Sequence, residues 1–130
     1  MLDIFKEFDI IDKDLLKKGV WVEYKDGFEV KVAGFNNSKF NNKLELLRRP
    51  YEFQIRHNTL SEETIEDLTC QAMAGTVLLD WRGGTTPFSI EAAVEALRVP
   101  KFFSLIVEIS KAEATFYKEN LEKEKEELKN

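Results

Sequence analysis

The chain has 130 residues, 33% charged and 43% hydrophobic, with a formal net charge of −5. That length fits one domain with a real core. The acidic balance argues against nucleic-acid binding, which needs clustered Lys and Arg facing phosphates, and Arg48-Arg49 alone is a weak patch. No stretch approaches the roughly 20 apolar residues of a membrane span. Met1-Leu2-Asp3-Ile4 lacks the basic region and apolar run of a signal peptide. With one cysteine, Cys70, no internal disulfide forms, and a buried structural thiol in a soluble cytoplasmic protein is expected.

Residues 1–18 read as an N-terminal arm. Ile4, Phe5 and Phe8 make one helical face and Leu15-Leu16 a second, short one. Packing back on the domain is the simpler expectation, and an arm offered to a partner is the alternative. Residues 19–35 carry the β signal: Val20, Val22 and Tyr24 alternate with Trp21 and Glu23, then Phe28, Val30 and Val32 with Glu29 and Lys31. A two-residue Asp26-Gly27 turn would pair Lys25 with Phe28 and Glu23 with Val30, mixing polar and apolar on each face. A three-residue loop, Lys25-Asp26-Gly27, pairs Tyr24 with Phe28, Val22 with Val30 and Val20 with Val32, so it is the predicted turn. Glu23 then opposes Glu29 on the outer face, where Trp21 stands beside Lys31 as a cation–π pair. An isolated hairpin is unstable, so its apolar face should lie on helices, and uncovered edges are one route to oligomers.

Asn36-Asn37-Ser38 is turn and cap chemistry, with Ser38 the candidate N-cap of a helix through Phe40, Leu44 and Leu47. Pro50 predicts a break near Arg49, with a short helix resuming over 51–57. His57 has no second ligand at metal spacing and reads as a polar residue near a helix end. Ser61-Glu62-Glu63 opens the best-marked helix. Its face, Ile65, Leu68, Ala72, Met73, Thr76 and Leu79, predicts a run to about Trp81. Gly83-Gly84 stops it, Pro87 blocks continuation, and Ser89 caps the next helix, which reaches Val99 with Val94 and Leu97 inward. Residues 78–89 therefore read as the corner of a helical hairpin plugged by Trp81.

Pro100 bends the chain into a long helix with Phe102, Leu105, Ile106, Ile109, Ala112 and Phe116 on one stripe. Phe102 and Phe103 cannot both face inward, so Phe103 belongs on a partner-facing or secondary core surface. From Lys118 the chain becomes a charged run in which only Leu121 and Leu128 are apolar. A solvated helical end is expected there, with a thin coiled-coil seam of Tyr117, Leu121 and Leu128 as the alternative. The predicted fold class is α+β and mostly helical: an N-terminal β-hairpin on a bundle of about four helices. The predicted organisation is an arm over 1–18, one globular domain over 19–117 (hairpin 19–35, helices 38–117), and a charged helical tail over 118–130.

The sequence carries no glycine-rich phosphate loop, no Cys or His metal spacing and no Ser–His–Asp arrangement. Asp80, beside Trp81 and Arg82, reads as a helix-end carboxylate paired with Arg82 or left in solvent. No enzyme activity, cofactor or metal is expected.

The Leu78-Leu79-x-Trp81-x-Gly83 run, the Pro87-Phe88-Ser89 cap, Val99-Pro100-x-Phe102 and the downstream Ala112 and Phe116 together form a specific pattern. It resembles the tail assembly chaperones of long-tailed, siphovirus-like bacteriophages. The likeness extends to a hairpin with Phe28 after its turn and to the Asn37-x-x-Phe40 entry to the first helix. The short loop between Gly84 and Pro87 departs from the longer one of many relatives. The resemblance implies a non-enzymatic protein of the infected host cytoplasm that binds the tape measure protein and promotes tail tube assembly, and that is absent from the mature virion. Its implied partners are the tape measure protein and the tail tube protein, while open hairpin edges make further copies of the chain a separate expectation and charge and hydropathy lead to neither nucleic acid nor membrane as partner. No binding residues transfer with it. Trp21, Phe103, Tyr117 and Leu121 are chosen as contact candidates on physical grounds. A structural component of the tail or neck, retained in the virion, is the alternative, and an unrelated helical adaptor a third reading.

Overall fold

The protein is described by a computed structural model covering residues 1–121; of the charged tail expected from Lys118, residues 122–130 lie outside the described residues. Two short helices come first, α1 (Ile4–Phe8) and α2 (Lys13–Lys18), each capped by an aspartate, Asp3 and Asp12, that accepts hydrogen bonds from the first free amides. Strands β1 (Val20–Lys25) and β2 (Phe28–Val32) come next, then helices α3 (Ser38–Arg48), α4 (Glu52–Arg56) and α5 (Glu62–Met73). Strand β3 (Leu78–Arg82) returns to the sheet, and helices α6 (Ile90–Leu97) and α7 (Pro100–Lys111) complete the regular structure.

This corrects the expected fold class. The sheet has three strands in the order β1-β2-β3, both pairings antiparallel, and the hairpin is not N-terminal because two helices precede it. The protein is α+β, with a sheet rather than a lone hairpin against its helices.

The helix predicted to run to Trp81 ends at Met73. Met73, Thr76 and Leu79 continue the three-residue spacing of the helix face by coincidence. Ala74 is already extended, Gly75 takes φ +85, and the amide of Gly75 bonds back to Leu78 O at 2.9 Å. Glycine alone enters that left-handed conformation without a Cβ penalty, so Gly75 is the real C-terminal stop. The next residues, Thr76 to Arg82, form a β-favouring run bracketed by Gly75 and Gly83. Thus the Leu-Leu-Asp-Trp-Arg stretch is a strand, and the helical hairpin expected around it is a strand-to-helix corner.

The hairpin combines both turns weighed from the sequence. Val20↔Val32, Trp21↔Lys31, Val22↔Val30 and Glu23↔Glu29 pair as expected, but Lys25 pairs with Phe28 across a two-residue Asp26-Gly27 turn. Both turn residues have positive φ, 54 and 80, as the favoured hairpin turn requires. A bulge at Tyr24 absorbs the extra residue, so the preferred turn and the all-apolar face coexist.

Val30 and Val32 are fully buried beneath the helices, in one core with Phe40, Met73, Val77, Leu78, Trp81, Leu97 and Ile106. Asn37, not Ser38, caps α3: its Oδ1 accepts from Phe40 N at 2.9 Å, while its Nδ2 donates to Gly34 O and Thr76 O, both at 2.8 Å. One side chain therefore ties the helix start to the approach to β3. Ser61 and Ser89 cap α5 and α6 as expected. Pro50 falls in a 3-10 turn, Arg49–Tyr51, between α3 and α4, and Pro100 sits in the first turn of α7.

Helix α7 stops at Lys111, short of the expected stripe to Phe116. Ala112 turns extended, and Glu113–Phe116 form a 3-10 turn held by Thr115 Oγ1 donating to Ile109 O at 2.9 Å. That turn swings Phe116 away from the helix axis and into a second cluster with Leu15 and Val20. Ile11 and Tyr117 form an isolated antiparallel bridge beside it. Residues 10–18 thereby pack on the domain, whereas no residue of α1 is buried.

Candidate partner-binding surfaces

The four candidate contact residues fall in three places. Trp21 lies on the outer face of β1, half-buried. The Arg82 guanidinium sits 3.9 Å from its ring centroid, while Lys31 Nζ is 6.0 Å away. Lys31 is the direct cross-strand partner of Trp21, whereas Arg82 is paired with Glu29 on β2 and reaches Trp21 diagonally across that strand. Arg82 also holds Glu29 through two hydrogen bonds, Nε to Oε1 at 2.9 Å and NH2 to Oε2 at 3.2 Å. The cost of Glu23 facing Glu29 is thus offset by a cation from β3, which the two-stranded expectation lacked. Asp80, read from the sequence as paired with Arg82 or left in solvent, is partly exposed on the outer face of β3 and accepts from the Trp81 amide at 2.8 Å.

Phe103 lines a cleft between α5 and the α6–α7 junction, with Glu63, Glu66, Asp67, Cys70 and Arg98 around it and a volume of about 310 Å³. Asp67 Oδ1 accepts from Arg98 Nε at 2.8 Å and Oδ2 from Gln71 Nε2 at 2.7 Å, and these hydrogen bonds, the arginine's foremost, hold its carboxyl below the usual range. Burial pushes the Cys70 thiol above its ordinary value, and its Sγ donates to Leu97 O at 3.4 Å. A thiol kept protonated is a poor nucleophile. The cleft offers an acidic rim over an apolar floor, which suits a basic, apolar side-chain pair.

Tyr117 and Leu121 meet at the third place. Tyr117 is in the bridge to Ile11, and Leu121 packs on the Leu15–Val20–Phe116 cluster. Both hold residues 10–18 in place. The Lys118 amide bonds to Ile10 O at 2.9 Å and its ammonium to Asp9 at 2.9 Å, fastening the same joint.

Two surfaces escaped the candidate choice. One is α1, where Ile4, Phe5 and Phe8 are 63%, 78% and 68% exposed. Its apolar face is legible in the sequence, but nothing in the sequence says that it stays uncovered. The other is an apolar groove lined by Phe28, Trp81, Ala92, Ala96 and Phe102, with Gly84, Thr85, Thr86 and Glu95 at its margin and a volume of about 650 Å³. Trp81 forms its floor, edge-on to Phe88 at 5.0 Å and to Phe102 at 6.1 Å, with its indole N–H donating to Thr86 O at 2.7 Å. This groove exists because residues 78–82 form a strand, so a helical reading hides it.

Among the described residues, no group of three or more His, Cys, Asp or Glu side chains is placed to hold a metal ion. Nor is any helix among them long and apolar enough to cross a membrane.

The site is thus a small α+β domain with an aromatic groove, an exposed apolar helix and surface ion pairs, and comparison with known families makes it a phage-derived protein. The family described as YdaY prophage protein matches residues 35–130, most of the chain, and the chain belongs to that family. The match begins at Phe35, after the arm and the hairpin. No curated protein and no solved structure matches the chain.

Proposed function

We propose that this prophage protein is a tail assembly chaperone: it binds the tape measure protein in the host cytoplasm, promotes tail tube assembly, performs no enzymatic chemistry and leaves before the virion is complete. The observation that carries this reading is the apolar surface left open on a folded domain, above all the exposed face of α1. Large uncovered apolar patches on small domains mark protein contacts. Prophage family membership supplies the setting, and the resemblance of the Trp81 and Pro100 motifs to tail assembly chaperones supplies the client. A tape measure protein is long, helical and aggregation-prone, and needs a partner whose apolar side chains cover its own until the tube forms.

The test is co-expression with the tape measure protein of the same prophage, then size-exclusion chromatography and pull-down. Co-elution, with the tape measure soluble only when this chain is present, is expected. Absence of binding, together with this chain found by mass spectrometry in purified virions, would replace the proposal with a structural tail or neck component.

A further inference from the structure

We propose that the recess between the end of α2 and the start of α3 binds a small phosphorylated molecule, its phosphate groups held by Lys17, Lys18, Lys31 and Lys39. The recess has a volume of about 850 Å³, within the range of small-molecule pockets. Its lining sets those lysines beside the apolar side chains of Leu79 and Leu121. Among the described residues that line it, Asp14 is the one carboxylate.

Backbone ties bring these side chains together from distant parts of the sequence. The Gly34 amide donates to Leu16 O at 2.8 Å, which sets the end of α2 against the segment leading into α3. Asn37 ties the start of α3 to Thr76 O. Gly19 lets α2 pass into β1 hard against β3, since a Cβ there would lie 2.6 Å from Leu79 Cδ1. Lys17 and Lys18 then come from the last turn of α2, Lys31 from β2 and Lys39 from the first turn of α3.

Electrostatics within the chain do not account for the cluster. The formal net charge is −5, yet here cations outnumber the lone carboxylate. Lys17 and Lys18 suit the carbonyl end of α2, but Lys39 stands at the amino end of α3, where a cation is unfavourable and no acidic residue shares the first turn. Among the described residues, the ammonium groups of Lys17, Lys18 and Lys39 form no ion pair or hydrogen bond, and that of Lys31 lies 6.0 Å from the Trp21 ring. Like charges gathered without counter-ions repel one another, a cost that a multiply charged anion turns into attraction. Lysine holds phosphate as a point charge with rotatable donors, so this set fits phosphate groups in several poses. Leu79 and Leu121 supply a wall for the uncharged part of the molecule.

The experiment is isothermal titration calorimetry of the full chain at low ionic strength, with tripolyphosphate, metal-free ATP and a hexaglutamate peptide as probes. Saturable one-to-one binding of both polyphosphates is expected, with hexaglutamate weaker than either. Lys39→Gln and the pair Lys17→Gln/Lys18→Gln should each weaken polyphosphate binding about tenfold. Lys39→Arg should keep most of it, and Lys101→Gln, on α7 outside the recess, all of it. The substituted lysines are exposed, so circular dichroism should stay unchanged. No saturable heat with either polyphosphate, or equal weakening by Lys101→Gln, would overturn the site. Hexaglutamate bound more tightly than both polyphosphates would overturn the ligand class in favour of an acidic protein segment. Tape measure binding is scored separately, so the chaperone reading can fail without this one.

Discussion

Replacing Trp81 tests whether the strand-to-helix corner is the joint of the fold. The indole is almost wholly buried, packs edge-on against Phe88 and Phe102, and donates to Thr86 O at 2.7 Å. Truncation to alanine removes a core aromatic, which costs about 3–5 kcal/mol. Within that sum, the two aromatic pairs account for about 0.5–1.5 kcal/mol each beyond area. Trp81→Phe keeps most of the ring contact and loses the indole hydrogen bond; Thr86 is exposed, so water can take over its carbonyl and the loss is about 0.5–1.5 kcal/mol. Trp21→Ala is the control from the opposite face, where the Arg82 contact contributes about 0.5–1 kcal/mol. Urea unfolding monitored by far-UV circular dichroism measures all three, since fluorescence would change with the tryptophans. The expected order of loss is Trp81→Ala first, with Trp81→Phe and Trp21→Ala well behind. A Trp81→Ala protein within about 1 kcal/mol of wild type would refute the buried-strand assignment.

Four further contacts set measurable outcomes. Asn37→Ala removes a helix cap and two hydrogen bonds at once and should cost about 2–3 kcal/mol, with Asn37→Ser recovering only the cap share of about 1 kcal/mol in the same urea assay. Gly75→Ala forces a side chain into φ +85 and sets a Cβ 2.8 Å from Ile90 Cδ1, so a loss of at least about 1–2 kcal/mol is expected by thermal melting. Asp67 has its carboxyl depressed by Arg98 and Gln71, so its stabilisation is complete above the unfolded carboxylate range, near pH 4, and is lost as pH falls through the lower folded value. Melting curves of Asp67→Asn should therefore show a shallower acid decline below about pH 4, a small effect because the pair is partly open to water. Cys70 should resist thiol reagents in the native protein and react at the rate of unfolding; fast labelling without denaturant would contradict its burial.

How much of this structure is legible in the sequence depends on whether a signal is local. Ser61 and Ser89 are readable as caps because the cap and the amide it serves lie three residues apart. The hairpin register is readable from Val20, Val22, Val30 and Val32, but the bulge at Tyr24 is not, because alternation and turn preference conflict there and the backbone satisfies both. Asn37 is selected over Ser38 by a contact 39 residues away, Thr76 O, that no local pattern contains. Strand β3 is hidden because three-residue spacing from Met73 to Thr76 to Leu79 imitates a helix face, although Gly75 within it is the sign to stop. Of the candidate contacts, Trp21 and Phe103 lie on surfaces, whereas Tyr117 and Leu121 are engaged in fastening the arm.

The arm shows where sequence reasoning ends for a physical reason. Leu15 and Phe5 are both apolar residues of short, aspartate-capped helices, and both are candidates for burial on pattern alone. Leu15 is buried because Phe116 and Val20, brought in from other parts of the fold, converge on it. Among the described residues, none buries Phe5, which is 78% exposed. Burial of an apolar face is a property of what the rest of the fold brings to it, so a face that the fold leaves bare is an observation only the structure can make. The groove over Trp81 is the complementary case, a recess created by a strand that the periodicity conceals. Knob and recess each become visible only with the assembled domain.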